Sequence, residues 1–185
     1  GRGFKSLLSH HFLALFMQIF SEYARLPIEE SAPAVIAIGN FDGVHKGHQA
    51  LLAKARGIAN KEQRKLAVLT FEPHPRALFR PDEPPQRITP APVKFRRLAE
   101  SGVDILYALT FNWDFASQSA EAFVNNILFE GLKAAHVVIG EDFRFGQLRK
   151  GDAETIRNAG IPVTAIPRLH ADDLPWSSSD IRTAL

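Results

Sequence analysis

The stretch that decides the fold is Ala34-Val35-Ile36-Ala37-Ile38-Gly39-Asn40-Phe41-Asp42-Gly43-Val44-His45-Lys46-Gly47-His48. Its first five residues are apolar without a break, the pattern of a strand buried on both faces, and Gly39 ends the run. Beyond Gly47, Leu51, Leu52, Ala55, Ile58 and Ala59 recur at helical spacing with Lys54, Arg56 and Lys61 between them, which predicts an amphipathic helix.

Outward from this unit the alternation repeats. Residues 65–71 form a second apolar strand, stopped at Glu72-Pro73-His74-Pro75 because proline cannot donate to a ladder, and Pro81-Asp82-Glu83-Pro84-Pro85 reads as a loop. A helix over 92–101 closes at Gly102 and leads to a strand over 104–109. Ser119 is a suitable N-cap for a helix with Glu121 in its first turn and Phe123, Ile127 and Leu128 facing inward. A strand over 136–140, a short helix over 153–159 ended by Gly160, and a strand over 162–166 complete the series. The pattern predicts an α/β fold, a Rossmann-like doubly wound parallel sheet that takes ligands at the carboxyl ends of its strands.

Composition narrows the function classes. A chain of 185 residues, 45% of them hydrophobic, suits one domain with one substantial core. The 22 Lys and Arg against 20 Asp and Glu leave a net charge of +2, too little to steer binding to a nucleic-acid backbone. Without Cys there is no disulfide, thiolate nucleophile or Cys-ligated zinc. The run Phe12-Leu13-Ala14-Leu15-Phe16 is too short to span a bilayer, and no small-residue cleavage site follows it, so neither a membrane partner nor export is expected. A cytoplasmic setting follows. Met17, the only methionine, reads as a natural start, with residues 1–16 an appended or upstream-frame extension and 17–185 the domain.

Three loops carry residues suited to chemistry. His45 and His48 are three apart at a helix start, so both imidazoles can face one ligand, with Gly47 admitting a phosphate to the backbone and the helix N–H groups favouring an anion. Capping of the helix start is the alternative reading. So is a zinc site completed by His74, although a divalent cation carried by ATP suits the residues better. In Trp176-Ser177-Ser178-Ser179-Asp180-Ile181-Arg182, hydroxyls and a guanidinium can converge on a polyphosphate, or the serines can simply cap a helix. Gly140-Glu141-Asp142-Phe143-Arg144-Phe145-Gly146 pairs aromatic faces with polar groups, as a planar ring ligand requires; the alternative is that Phe143 and Phe145 alternate into the core.

Together with Thr70-Phe71-Glu72-Pro73-His74-Pro75-Arg76, these motifs resemble the FMN adenylyltransferase (FAD synthetase) module of bacterial bifunctional riboflavin kinase/FAD synthetases, from about Met17 onward. The resemblance implies a nucleotidyltransferase that converts ATP and FMN to FAD and pyrophosphate with Mg²⁺. Such a module is normally fused to a riboflavin kinase domain, which is not expected within these residues. It implies catalytic roles for His45, His48, Ser179 and Arg182, and ATP contacts from Gly39, Asn40, Phe41, Asp42, Gly47, Ser177 and Ser178. It implies FMN contacts from Phe71, His74, Asp142, Phe143 and Arg144, and no protein-held metal. Trp176 and Ser179 depart from the family's usual Ile and Thr. Other nucleotidylyltransferases of this fold, acting on a pantetheine phosphate or a pyridine mononucleotide, and a non-catalytic flavin or nucleotide sensor are the competing readings.

Overall fold

The computed structural model describes residues 17–21, 32–82 and 88–167, with the backbone of two further short strands, His170–Ala171 and Leu174–Pro175. Residues 1–16 lie outside the described residues, as do Trp176, Ser177, Ser178, Ser179 and Arg182. Six strands form one parallel sheet: β1 Gln18–Phe20, β2 Ala34–Ile38, β3 Leu66–Glu72, β4 Ile105–Thr110, β5 Ala134–Gly140 and β6 Val163–Ile166. Their spatial order is β1-β4-β3-β2-β5-β6. The five strands expected from sequence are all present. β1 is an addition, paired with β4 from Gln18 opposite Ile105, and three residues are too few to show a period.

Winding on both faces follows from the alternation of side chains along each strand. Ile36, Ile38, Leu69, Phe71 and Tyr107 join one core with Phe123, Ile127 and Leu128. Val35, Ala37, Val68 and Leu106 join the other with Leu51, Leu52, Ala55 and Leu98. The helices are α1 Lys46–Lys61, α2 Pro75–Phe79, α3 Ala91–Glu100, α4 Trp113–Ala116, α5 Ala120–Ala122 and α6 Ala153–Asn158. Thus α1 and α3 cover one face. Ser119 caps α5 through its hydroxyl, which accepts from the Ala122 N–H at 3.1 Å, and α5 runs on as a π-helix over Phe123–Gly131 against the other.

Strand order reverses at β2, which is flanked by β3 on one side and β5 on the other. A crevice opens at that switch point beyond the carboxyl ends of the strands, and α1 begins there. At the opposite end, the Asp104 carboxylate accepts from the Leu66 N–H at 2.7 Å and pairs with Arg56 of α1 at 2.8 Å, fixing the helix against the sheet.

Ile36 on central β2 is fully buried, whereas Phe129 is 57% exposed. Ile36→Ala is expected to lower the unfolding free energy by about 2–5 kcal/mol and Phe129→Ala by less than about 1 kcal/mol, read from urea unfolding.

Candidate active site

Between β2 and α1 the chain turns tightly. Phe41 is left-handed at φ 51 and ψ 28, Val44 has φ 41, and Gly43, inside the 3-10 turn Asp42–Val44, has φ 80. Left-handed backbone at a non-glycine residue costs roughly 1–3 kcal/mol and persists only where the surroundings enforce it. Here the enforcement comes from the segment leading into α3. The Asp42 carboxylate accepts from the backbone N–H groups of Ile88 and Thr89, each at 3.0 Å, and the Gly43 N–H donates to the Thr89 hydroxyl at 3.0 Å. Arg97 of α3 donates to the Gly43 carbonyl at 2.9 Å.

A second set of contacts holds the loop from below. Lys94 of α3 is only 2% exposed; its ammonium pairs with Glu72 at 2.6 Å and donates to the Thr70 hydroxyl at 3.2 Å and the Asn40 carbonyl at 3.3 Å. Thr70 donates to the same carbonyl at 3.1 Å. Sequence reading did not single out Lys94, Thr70 or Thr89. A lysine in an amphipathic helix carries no mark of burial.

The two histidines meet. His45 is the N-cap residue of α1 and His48 lies in the first turn, with ring centroids 3.7 Å apart and planes at 24°. Phe41 covers His48 from another side at 5.1 Å. His45 makes no side-chain capping hydrogen bond, so capping does not account for its side chain. His48 Nδ1 is buried with no hydrogen-bond partner among the described residues. Burial, reinforced by His45 and Lys94 and opposed by Asp42, pushes the His48 imidazole down to about 3, leaving it neutral at physiological pH. The rings stack rather than spreading around a common centre. No group of three His, Asp or Glu among the described residues is placed to hold a metal ion.

Beside this loop lies a cavity of about 920 Å³, bounded by Asn40 after β2, Phe71 of β3, Phe111 after β4 and the loop after β5. Its walls are aromatic. Phe71 meets Phe111 at 5.6 Å and Phe115 at 5.4 Å, Phe79 meets Trp113 at 5.6 Å, and Phe123 meets Phe145 at 5.0 Å. Arg76, Arg80, Arg144 and Arg149 add positive charge to the lining, and Asp142 supplies a carboxylate.

In the loop after β5 one ring turns into the core and both stand at the cavity. Phe145 is buried in the core while Phe143 is half-buried; their rings stack at 5.7 Å and both line the cavity. Gly146, at φ 69, fixes the loop's path because a Cβ there would lie 2.7 Å from the backbone of Ala120. Arg144 folds back to donate to the Phe143 carbonyl at 3.0 Å. His74 lines the cavity while its Nδ1 accepts from the Arg76 N–H at 3.1 Å as the cap of α2.

Phe79, Phe111, Trp113 and Phe115 were absent from the residues inferred by sequence. The available signal was the density of rings in Phe111-Asn112-Trp113-Asp114-Phe115 immediately after a strand. By contrast, the side chains of Phe41 and Asp42 are buried at 0% and 2% exposure, so an approaching ligand meets their backbone.

A His held near 3 when folded and near 6.5 when free takes up its proton in the unfolded state first. Stability is therefore full above about pH 6.5 and lost as pH falls from there toward 3. His48→Gln is expected to lose up to about 2 kcal/mol less than the wild type between pH 7 and pH 5, read from paired urea titrations.

The FAD synthetase family model matches residues 28–180. The bifunctional riboflavin kinase/FMN adenylyltransferase of Bacillus subtilis is 41% identical over 163 residues, covering 85% of this chain and 51% of that protein. Its counterpart in Escherichia coli K12 is 37% identical over 155 residues, covering 82% and 50%. The chain spans about half the length of the curated relatives it matches. Among solved structures, a macrolide-efflux protein from Streptococcus pneumoniae aligns with a TM-score of 0.80 at 29% identity, over 91% of this chain and 55% of that one. No helix among the described residues is long and apolar enough to cross a membrane. Pantoate-beta-alanine ligase from Francisella tularensis, solved with beta-gamma ATP and beta-alanine, aligns at 0.57 and 15% identity over 89% and 72%, a likeness of fold alone. With most of its length inside the family model, this chain belongs to the FAD synthetase family.

Proposed function

We propose that the chain transfers AMP from ATP to FMN, giving FAD and pyrophosphate. The observation that carries this reading is the junction of two unlike sites: a stacked histidine pair, with His48 neutral, at the start of a long helix opens beside a cavity walled by aromatic rings. A helix N-terminus favours a phosphate, and flat apolar walls favour a conjugated ring. A cavity of about 920 Å³ is large enough for a flavin nucleotide.

In this reading ATP lies along the loop, with its phosphates against the backbone of Gly39, Asn40, Phe41, Asp42 and Gly47. Ser177 and Ser178 close on the triphosphate from the carboxyl-terminal segment. An oxygen of the FMN phosphate forms a bond to the α-phosphorus as the bond to the β-phosphate oxygen breaks, and pyrophosphate leaves. No covalent enzyme intermediate is required, so catalysis is positioning and charge stabilisation. His45, His48, Ser179 and Arg182 stabilise charge on the transferring phosphoryl group. Phe71 and Phe143 face the isoalloxazine ring, while His74, Asp142 and Arg144 meet the polar parts of FMN. Mg²⁺ enters as the ATP complex, held by triphosphate oxygens. The reaction takes place in the cytoplasm, and a fused riboflavin kinase domain, as in the curated relatives, would make the FMN it consumes.

The aromatic walls favour FMN over a pantetheine phosphate, which has no ring, and over a pyridine nucleotide, which would cover fewer of these faces. Chromatography of flavins after incubation with ATP, Mg²⁺ and FMN tests the assignment. FAD and pyrophosphate are expected to accumulate together, and His48→Ala is expected to lower kcat by roughly a hundredfold or more. Tight FMN binding without pyrophosphate release would replace the enzyme reading with a sensor. Product formed only from another acceptor would replace the substrate.

A further inference from the structure

Among the described residues the buried polar or charged side chains are Asp42, Thr70, Thr89 and Lys94, and all of them lie under the histidine loop. Asp42 and Thr89 lock the turn to the segment before α3. Lys94 does something further. Its ammonium reaches from α3 to the carboxyl ends of two neighbouring strands, holding the Asn40 carbonyl at 3.3 Å, the Thr70 hydroxyl at 3.2 Å and the Glu72 carboxylate at 2.6 Å. A buried cation is expensive to place, and fold stability alone is served as well by apolar residues of similar volume. Its location matters because the carbonyl it grips belongs to the residue that lines the cavity and begins the turn carrying His45 and His48.

We propose that Lys94 is a positioning residue of the phosphate site: it fixes the Asn40 carbonyl and sets a water-excluded positive charge behind His48, attracting polyphosphate to the loop. This rests on reading the loop as a phosphate site. The charged and titratable groups facing His48 are His45 from the loop, Asp42 from the 3-10 turn and Lys94 from α3, with Glu72 of β3 paired to Lys94. Lys94 and His45 oppose protonation of His48, and Asp42 favours it. Before the anion arrives, the fixed cation offsets the carboxylates of Asp42 and Glu72, so the loop does not repel a phosphate while His48 is neutral. A water-shielded cation attracts phosphate more strongly than an exposed lysine would.

Lys94→Met removes the charge and keeps most of the stem, leaving Glu72 as a lone carboxylate beside the site. Binding of tripolyphosphate, followed by calorimetry at pH 7, is expected to weaken about tenfold or more. The His48 ring, followed by histidine-resolved NMR, is expected to protonate at a pH roughly one unit higher than in the wild type. A purely structural lysine would alter the unfolding midpoint and leave both readouts alone in the folded variant, and that result overturns the proposal. Glu72→Gln provides the opposite sign if Lys94→Met does not fold. Removing the opposing carboxylate is expected to tighten tripolyphosphate binding several-fold; unchanged or weaker binding overturns the proposal. Neither measurement uses FMN, so a wild type that binds tripolyphosphate but makes no FAD removes the proposed reaction while leaving the role of Lys94 in force.

Discussion

The carboxylate of Asp42, buried and accepting from the N–H groups of Ile88 and Thr89, is the interaction on which the rest of the site depends. An ionised carboxylate withdrawn from water is tolerable only when hydrogen-bonded, and here its donors come from a segment far along the chain. The contact therefore fixes the β2–α1 turn to the approach of α3. With the turn held, Phe41 and Val44 remain left-handed, the start of α1 points into the crevice, and His48 lies against His45 rather than turning to solvent. Release Asp42, and the strained backbone has no reason to stay.

The fold was legible because apolar runs on strands buried from both faces have few other uses. Val35 and Ile36 look alike in sequence, yet belong to different cores, and the continuous run in β2 is what two covered faces require. The histidine pair was legible through its spacing at a strand-to-helix junction. Lys94 was not, because a lysine in an amphipathic helix reads as solvated until the tertiary structure shows Glu72 waiting for it. The ring cluster was only half legible: Phe143 drew notice from its charged neighbours, whereas Phe79 and Phe111 are brought together from separate strands' loops, at 5.9 Å, by the sheet. The functional part of Asp42 was also masked, since its motif suggests a ligand contact while its side chain serves the loop.

The aromatic wall and the polar loop impose opposite solvent requirements, which explains how the crevice is divided. Rings gain from losing water, and the cavity collects them from the carboxyl ends of β3, β4 and β5 and the helix after β4. Its outer edge remains apolar, with Trp113 at 63% exposure and Leu148 at 80%. That edge is too open to be core and too near the cavity to be incidental surface. Asn40 stands at the boundary, lining the cavity while its carbonyl is held by Lys94 and Thr70.

The same division explains why a neutral His48 is compatible with a phosphate-handling role. A permanently charged imidazole in this buried place would carry a desolvation cost in the unliganded protein, and stacking on His45 would add repulsion if both rings were charged. A neutral His48 avoids both costs while still presenting an N–H donor to an anion. Positive charge is instead supplied at Lys94, where Glu72 matches it, and the positive end of the α1 dipole lies at the same loop.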